Sequence, residues 1–401
     1  MSDPRLFCDV TQSWSDVGGG VGTYLRHKRA HLIEHTDHRH LMILPGRRDE
    51  LVEEGRAITV RIRSPRVPGS PQYRLLLRNR AVRRALEQFG PALVECQDAY
   101  NLPWAALKHG RRHPEVALVA GYFTDFPTVY VDRPFSRLLG RGLADRAARA
   151  AYRYCGRLYG RFDAVFGLSE HGGVAKLRTL GVEDVDVLPL GVQLDGFHPD
   201  RRDTALRAHL GVGEGQPLLI YAGRLDGEKR AAVVVDAFRR LPRSLGATLV
   251  LLGDGPLREH FVALGEAGER IHAPGYVRDR DELARWLASA DIYVSGMADE
   301  TFGISIIEAQ AAGLPVVGVE AGAMIDRVNP AIGRLGPVDD SSVMAANLLA
   351  VWKEGPAAMG QAARAHVAGE FSWSHSMDVL FGTIYPKALA KAAERARSSP
   401  V

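Results

Sequence analysis

The sequence predicts an α/β protein made of two Rossmann-like halves, and three observations carry that prediction. Short apolar runs alternate with longer amphipathic ones, the rhythm of βα units feeding a parallel sheet. At 401 residues the chain exceeds one ordinary core and suits two domains. A turn-rich segment, Pro189-Leu190-Gly191-Val192 followed by Asp195-Gly196-Phe197-His198-Pro199, falls near the middle as a natural seam.

In the first half, apolar runs predict strands at Leu6–Val10, His40–Leu44, Leu93–Cys96, Ala117–Tyr122, Ala164–Leu168 and Val185–Leu188. Helical periodicity predicts helices over Val21–Glu34, Arg74–Phe89, Leu102–His109, Asp145–Arg161 and Gly172–Leu180. The second half repeats the pattern. Strands are expected at Leu218–Ala222, Thr248–Leu252, Ile271–Ala273, Ile292–Ser295 and Val316–Val319. Helices are expected at Arg230–Leu241, Leu257–Ala267, Arg280–Ala288 and Ile304–Ala312. The domains are then 1–190 and 191–370, with 371–401 a C-terminal helix and tail.

With 46% apolar and 24% charged residues, the composition is that of a folded globular chain rather than a disordered one. No stretch approaches the ~20 uncharged apolar residues that span a bilayer. The start, Met1 to Val10, lacks the layout of a signal peptide. Three scattered cysteines, Cys8, Cys96 and Cys155, indicate neither a disulfide framework nor a metal knuckle, so a reducing cytosol is expected. The net charge of +4 is uneven. Arg61, Arg63, Arg66, Arg74, Arg78, Arg80, Arg83 and Arg84 face only Glu87, and a second basic stretch runs from Arg133 to Arg161. Two readings stand: a patch for an anionic membrane surface or other phosphate-rich partner, and a solvated arginine-rich helix face.

The chemistry is densest in the second half. In Tyr221-Ala222-Gly223-Arg224-Leu225-Asp226-Gly227-Glu228-Lys229-Arg230 a strand ends, glycines turn the chain, and a helix begins. Arg224 and Lys229 therefore sit beside a helix N-terminus, where fixed cations and unpaired amides suit a diphosphate. A charged βα loop without a ligand is the plainer reading of the same residues. In Asp299-Glu300-Thr301-Phe302-Gly303-Ile304-Ser305-Ile306-Ile307-Glu308-Ala309, two carboxylates eight positions apart straddle a loop-to-helix junction. The amides of Phe302, Gly303 and Ile304 would point to one spot, and Gly303 would admit a ligand close to the backbone.

These segments resemble the retaining glycosyltransferases of the two-domain GT-B fold, glycosyltransferase family 4 or "glycosyl transferases group 1", whose members include lipid glycosyl- and mannosyltransferases. The carboxylate pair with seven intervening residues is met by Glu300 and Glu308, in a run that ends at Gly313-Leu314-Pro315-Val316. Gly223 to Lys229, Gly253-Asp254-Gly255-Pro256, Pro274-Gly275-Tyr276-Val277, Pro189-Leu190-Gly191-Val192 and Phe371-Ser372-Trp373 also match in order, over nearly the whole chain. The resemblance implies two facing Rossmann-like domains around a cleft, the N-terminal one for the acceptor and the C-terminal one for the nucleotide sugar. Arg224 and Lys229 would neutralise the leaving diphosphate, Glu308 would bind ribose, and Glu300 would sit beside the donor sugar. Backbone near Tyr276 and Val277 would frame the base. The helix after Phe371 would cross back to the N-terminal domain. The donor is expected to be GDP- or UDP-linked, with no cofactor besides it and no metal, cationic side chains taking a metal's place.

In the first half, Gly18-Gly19-Gly20-Val21-Gly22-Thr23-Tyr24 resembles the family's Gly-Gly loop, with Gly19 and Gly20 facing the donor phosphate. Thr23 or Leu25 stands where a dinucleotide fingerprint needs its third glycine. Tyr122-Phe123-Thr124-Asp125-Phe126-Pro127 aligns with a segment in which many members carry a histidine that touches sugar; here that position is Phe123. The hydroxyl-binding role is then expected of Asp125 or Thr124. His171 reads as a surface or capping histidine. Gln193 stands where the family usually has aspartate, which reads as a linker change. His27, His31 and His35, with His38 and His40 nearby, read as a solvated face rather than a metal site. The acceptor is expected to be a lipid, lipid-linked glycan or saccharide met on the cytoplasmic side of the membrane. The alternatives are a nucleotide-sugar epimerase, a phosphorylase, or a non-catalytic carbohydrate- or nucleic-acid-binding member of the fold.

Overall fold

A computed structural model of the chain describes residues 3–15, 19–67, 70–132 and 141–398. Two compact units emerge, Met1–Leu188 together with Ser376–Val401, and Pro189–His375. Each is built around its own sheet.

The first unit contains β1 (Leu6–Val10), β2 (Arg39–Gly46), β3 (Glu50–Glu54), β4 (Ala57–Arg63), β5 (Arg66–Val67), β6 (Ser70–Arg74), β7 (Leu93–Cys96), β8 (Ala117–Tyr122), β9 (Ala164–Gly167) and β10 (Val185–Val187). Its main sheet has the order β10-β9-β8-β7-β1-β2-β4-β3, while β5 and β6 form a separate ribbon. Only β3 runs antiparallel to its neighbour in the main sheet. The main helices are α1 (Gly20–His35), α2 (Asn79–Phe89), α3 (Leu102–Gly110) and α4 (Arg141–Tyr159). Strands β1, β7 and β8 are buried along their whole length, which is why they read as continuous apolar runs. The edge strand β3 carries Glu50, Glu53 and Glu54, which discourage pairing with another chain.

Two acids interrupt those apolar runs, and both are fully buried. Lys28 of α1 places its Nζ 2.7 Å from Asp9 and 2.9 Å from Glu95. His40 Nε2 lies 2.6 Å from the other Asp9 oxygen. Tyr24 donates to Glu95 at 3.0 Å, and Tyr385 of the C-terminal helix Tyr385–Ser398 donates to it at 2.8 Å. Every charge is therefore partnered, the condition under which buried ions are tolerated. This corrects the sequence reading of the histidine cluster: His40 is a core residue, and His31 stacks on Phe381 at 5.2 Å instead of facing solvent freely.

The arginine-rich segment also departs from expectation. It is not one helix face. Arg61 and Arg63 lie on β4, and Arg66 and Arg74 on the β5–β6 ribbon. Only Arg80, Arg83 and Arg84 lie within α2. The ribbon's pairing commits the backbone up to Arg74, so the helix expected from Arg74 begins at Asn79. Arg78 is held by Asp49 at 2.7 Å and Arg74 donates to the Ser64 carbonyl at 2.8 Å. Residues 133–140 of the second basic stretch, and Gly18 of the glycine loop, lie outside the described residues.

The second unit has a six-stranded, wholly parallel sheet of β11 (Leu218–Ala222), β12 (Thr248–Leu252), β13 (Ile271–Gly275), β14 (Ile292–Val294), β15 (Val316–Val319) and β16 (Gly333–Gly336), in the order β13-β12-β11-β14-β15-β16. Strand succession runs outward in one direction from β11 and in the other from β14. Between them lies a topological switch point, where the loops leaving the C-terminal strand ends diverge and leave room for a ligand. The helices that matter to it are α5 (Ala231–Arg239), α6 (Arg280–Ser289) and α7 (Ile304–Ala311). In the first unit the corresponding reversal falls between β1 and β7. Among the described residues no helix is long and apolar enough to cross a membrane.

Candidate functional site

The two sequence motifs of the second half meet at that unit's switch point. Gly223 to Arg230 leaves β11, and Ser295 to Gly303 leaves β14, the adjacent strand. Lys229 Nζ lies 3.1 Å from Glu300 Oε2, closing a contact across 71 positions of sequence. The backbone turn that aims Lys229 is fixed by Asp226, which accepts from the Lys229 amide at 2.9 Å. Arg224 is the more exposed cation and rests between Asp226 at 2.7 Å and Glu228 at 2.5 Å. An incoming diphosphate can take over these carboxylate contacts without burying a bare charge.

Neighbouring loops shape the floor. Gly223 and Leu225 donate their amides to Leu252 and Asp254 carbonyls, each at 2.9 Å. Gly253 permits that approach: its φ is +144°, and a Cβ there would lie 1.8 Å from the Gly223 carbonyl oxygen. Tyr293, fully buried, has its hydroxyl 3.2 Å from the Ala222 carbonyl and 2.9 Å from Ser305 Oγ, tying the end of β11 to α7.

Gly303 precedes α7 with φ +84° and, having no side chain, leaves space beside the helix's first amides. The side chain of Phe302 turns away from that spot into the core. Arg327, 4% exposed, donates through Nε to the Phe302 carbonyl at 3.0 Å. Its guanidinium lies 4.5 Å from the Phe302 ring and 4.4 Å from the Phe371 ring. Burial lowers its pKa to about 10, which still leaves it charged at neutral pH. Arg327 thus supports the Glu300–Gly303 segment from behind.

Glu308 is placed one turn inside α7 and is almost wholly buried. Burial pushes its pKa upward, opposed by Arg280 of α6, whose Nη2 lies 2.7 Å away. Arg280 also covers the Phe197 ring at 4.7 Å. Tyr276 follows β13 and is 64% exposed, an open aromatic face, with Val277 half-buried beside it. Ile304 is the first residue of α7 and half-buried.

Three predicted residues lie in the first unit. Gly19 and Gly20 open α1, whose Thr23 amide donates to the Gly19 carbonyl at 3.0 Å. The loop before them is held by Asp98, which leaves the end of β7 and accepts from Thr11 Oγ1 at 2.9 Å and the Gln12 amide at 2.7 Å. Asp125 is 3% exposed and already engaged by the Lys176 ammonium, by Thr128 at 3.0 Å and by Tyr152 at 3.0 Å. Burial alone would raise its pKa, but Lys176 and the hydroxyls lower it below the usual carboxylate range. Phe123 is buried against Tyr24 and Phe166, with ring centroids at 5.2 Å and 5.8 Å. Apolar packing therefore occupies its position.

Sequence reasoning missed Arg280, Tyr293 and Arg327, each of which acts through packing between distant segments. It also passed over two Asp-x-Asp sequences, and both are used in other ways. Asp184 and Asp186 pair with Lys387, and Asp184 also with Lys391. Asp279 caps α6, and Asp281 pairs with Arg201 at 2.9 Å.

Solved structures of similar fold define the class. Sucrose-phosphate synthase from Thermosynechococcus elongatus superposes with a TM-score of 0.74 at 19% identity, covering 96% of this chain and all of that one. Anabaena HepE in complex with UDP gives 0.71 at 17% identity, covering 95% and 100%. The fold is GT-B, two Rossmann-like domains. In sequence, residues 18–195 match "Glycosyltransferase Family 4" and residues 216–354 match "Glycosyl transferases group 1". A GDP-mannose-dependent alpha-(1-6)-phosphatidylinositol dimannoside mannosyltransferase of Mycobacterium tuberculosis is 30% identical over 283 residues, 70% of each chain. A GDP-mannose-dependent alpha-mannosyltransferase of the same species is 31% identical over 315 residues, 78% of this chain and 76% of that one. The chain belongs to glycosyltransferase family 4, and is a glycosyltransferase that uses a nucleotide-sugar donor.

Proposed function

We propose that the protein is a retaining, metal-independent mannosyltransferase that moves the sugar of GDP-mannose to a lipid-linked or saccharide acceptor. The observation that carries this reading is the Lys229–Glu300 contact, which joins a phosphate-seeking loop to a carboxylate at a helix start. The names of the two relatives at 30% and 31% identity support guanosine and mannose.

In this reading Arg224 and Lys229 bind the two phosphates and stabilise the charge that grows as the anomeric carbon–oxygen bond breaks. The first amides of α7 supply further donors, and Glu300 holds sugar hydroxyls. Glu308 accepts from ribose hydroxyls, while Tyr276 and Val277 border the base. The acceptor oxygen bonds to the anomeric carbon on the face the phosphate leaves, and the departing phosphate oxygen takes the acceptor proton. No carboxylate nucleophile and no metal enters the step. Gly19 and Gly20 offer backbone to the donor phosphate at the start of α1. Asp125, held by Lys176, orients that wall rather than carrying a proton. Arg66, Arg80, Arg83 and Arg84, spread over ribbon and helix, supply charge for an anionic lipid surface on the cytoplasmic face.

The test is thermal-shift binding of GDP and UDP to wild type and to Arg224→Ala and Lys229→Ala, followed by donor turnover. GDP is expected to raise the wild-type midpoint and leave both variants unmoved, with Lys229→Ala losing about 10²–10³-fold in kcat. Stabilisation by UDP but not GDP would overturn the guanosine assignment. Equal stabilisation of wild type and variants would overturn the site.

A further inference from the structure

On the first unit, three side chains of metal-ligand chemistry converge. Glu87 occupies the last turn of α2, and His109 the last turn of α3. His113 follows four residues later, where the chain still coils: its amide donates to the His109 carbonyl at 3.1 Å. Both histidines therefore lie on one side of a helical turn, facing the carboxylate. His109 Nδ1 is 3.3 Å from Glu87 Oε1, and His113 Nε2 is 2.8 Å from Glu87 Oε2. One ligand atom from each residue lies within 4.8 Å of the others, and no second group of this kind occurs among the described residues.

We propose that Glu87, His109 and His113 form a binding site for a divalent transition-metal ion of the zinc class, which clips α2 to α3. Two nitrogens and one oxygen are a common zinc set, with water in the fourth, open position. Ligands about 2.0–2.1 Å from a tetrahedral ion stand about 3.3 Å from one another. The His109–Glu87 separation has that value, and is long for a charge-assisted hydrogen bond of about 2.7–2.9 Å. The His113–Glu87 separation needs only a small carboxylate rotation to match.

An outer contact supports the assignment. Glu115 lies 3.5 Å from His113 Nδ1, the far nitrogen, where ligating histidines usually meet a carboxylate that fixes their tautomer. His109 Nε2 is buried with no hydrogen-bond partner, so hydrogen bonding by that edge does not explain the ring's placement. His113 and Glu87 are partly exposed, which leaves an entry path for the ion. Such a site is structural and separate from the transfer chemistry, which the reading above keeps metal-free.

The experiment uses tag-free, full-length protein stripped with a chelator, then titrated with Zn²⁺ by calorimetry and with Co²⁺ by visible absorption. One equivalent is expected, with the intense d–d bands of four-coordinate cobalt. At 100 times the Kd, Zn²⁺ should raise the thermal midpoint by roughly 5–10 °C. His113→Gln should remove this binding, and Glu115→Gln, an exposed change that leaves the ligands in place, should weaken it about 10–100-fold. The double variant His31→Gln/His35→Gln should bind as wild type does. Absence of a one-equivalent site in wild type overturns the proposal. So does unchanged affinity in both His113→Gln and Glu115→Gln, or loss of binding in the His31/His35 variant.

Discussion

Arg280 and Glu308 show how a single ion pair can prepare a binding residue. Glu308 is nearly buried, and such a carboxylate without a partner tends to neutralise itself by taking a proton. Arg280, half-exposed and resting on Phe197, opposes that upward shift and holds the carboxyl in place. If Glu308 accepts from ribose hydroxyls in ground state and transition state alike, Arg280→Ala should raise the donor KM about 10-fold with kcat little changed. Steady-state kinetics over a donor series check this; a fall in kcat at constant KM would refute it. His40 offers a second test at this scale, on stability. Burial outweighs its bond to Asp9 and lowers its pKa from 6.5 to about 4. Between those values the unfolded chain binds a proton that the folded chain refuses. Stability contributed by neutral His40 is therefore fully present above pH 6.5 and falls as pH drops toward 4, by up to about 3 kcal/mol. Glu95, whose pKa is raised chiefly by burial, works in the opposite direction and moderates the loss. Urea unfolding at pH 7, 5.5 and 4.5 should show a shallower decline for His40→Gln than for wild type. Parallel slopes would mean that His40 does not titrate this way.

At the scale of elements, Gly253, which follows β12, would bring an added Cβ closer to its surroundings than any other glycine described. The β11 and β12 loops touch through backbone, and the Gly223 carbonyl fills the space a Cβ at Gly253 would need. Gly253→Ala combines that collision with a positive φ that side chains rarely adopt, so it should destabilise the unit by at least about 3 kcal/mol. Because the displaced loop carries Arg224, GDP stabilisation should vanish even in protein that remains folded. A variant with wild-type melting and wild-type GDP response would defeat this account. The same elements show what the sequence could reveal. β11, β12 and β15 are buried on both faces, so an unbroken apolar run located each of them to the residue. β3 and β4 escaped because an edge strand of glutamates and a strand alternating Ile with Arg carry no such run. The β5–β6 ribbon escaped because it has no apolar run, and its pairing takes Arg74 from the helix expected to begin there. The family resemblance set Glu300 beside the donor sugar, but the Lys229–Glu300 contact needs the adjacency of β11 and β14, which only the sheet order supplies. Arg280 and Arg327 were illegible for a related reason: nothing in a lone arginine tells which carboxylate or ring the fold will bring to it.

At the scale of the whole molecule, the first unit is completed by residues nearly two hundred positions beyond its last strand. Its compact body takes in Ser376–Val401, and the C-terminal helix enters the ion cluster itself through Tyr385, which donates to Glu95 at 2.8 Å. Leu380, Ile384, Tyr385, Ala388 and Ala392 are all buried, and Arg395 holds Asp163 while donating to the Val116 carbonyl at 2.8 Å. Ending the chain at His375 would strip this apolar surface and leave Glu95 with one hydroxyl fewer in a site closed to water. Losing a hydrogen bond to a buried charge costs about 1.5–3 kcal/mol, and the lost apolar burial adds to that. A unit of this size rarely has so much stability to spare. The truncated chain should therefore retain a folded second unit, whose sheet and loops lie wholly within Pro189–His375, while the first unit becomes open to protease. Limited proteolysis would show a surviving fragment near 189–375 and rapid loss of 1–188, and GDP should slow cleavage of that fragment. Equal resistance of both units after truncation would show that the first sheet closes its core without the helix. The buried Asp9–Lys28–Glu95 cluster would then be self-sufficient, and Tyr385 an addition to it rather than a part.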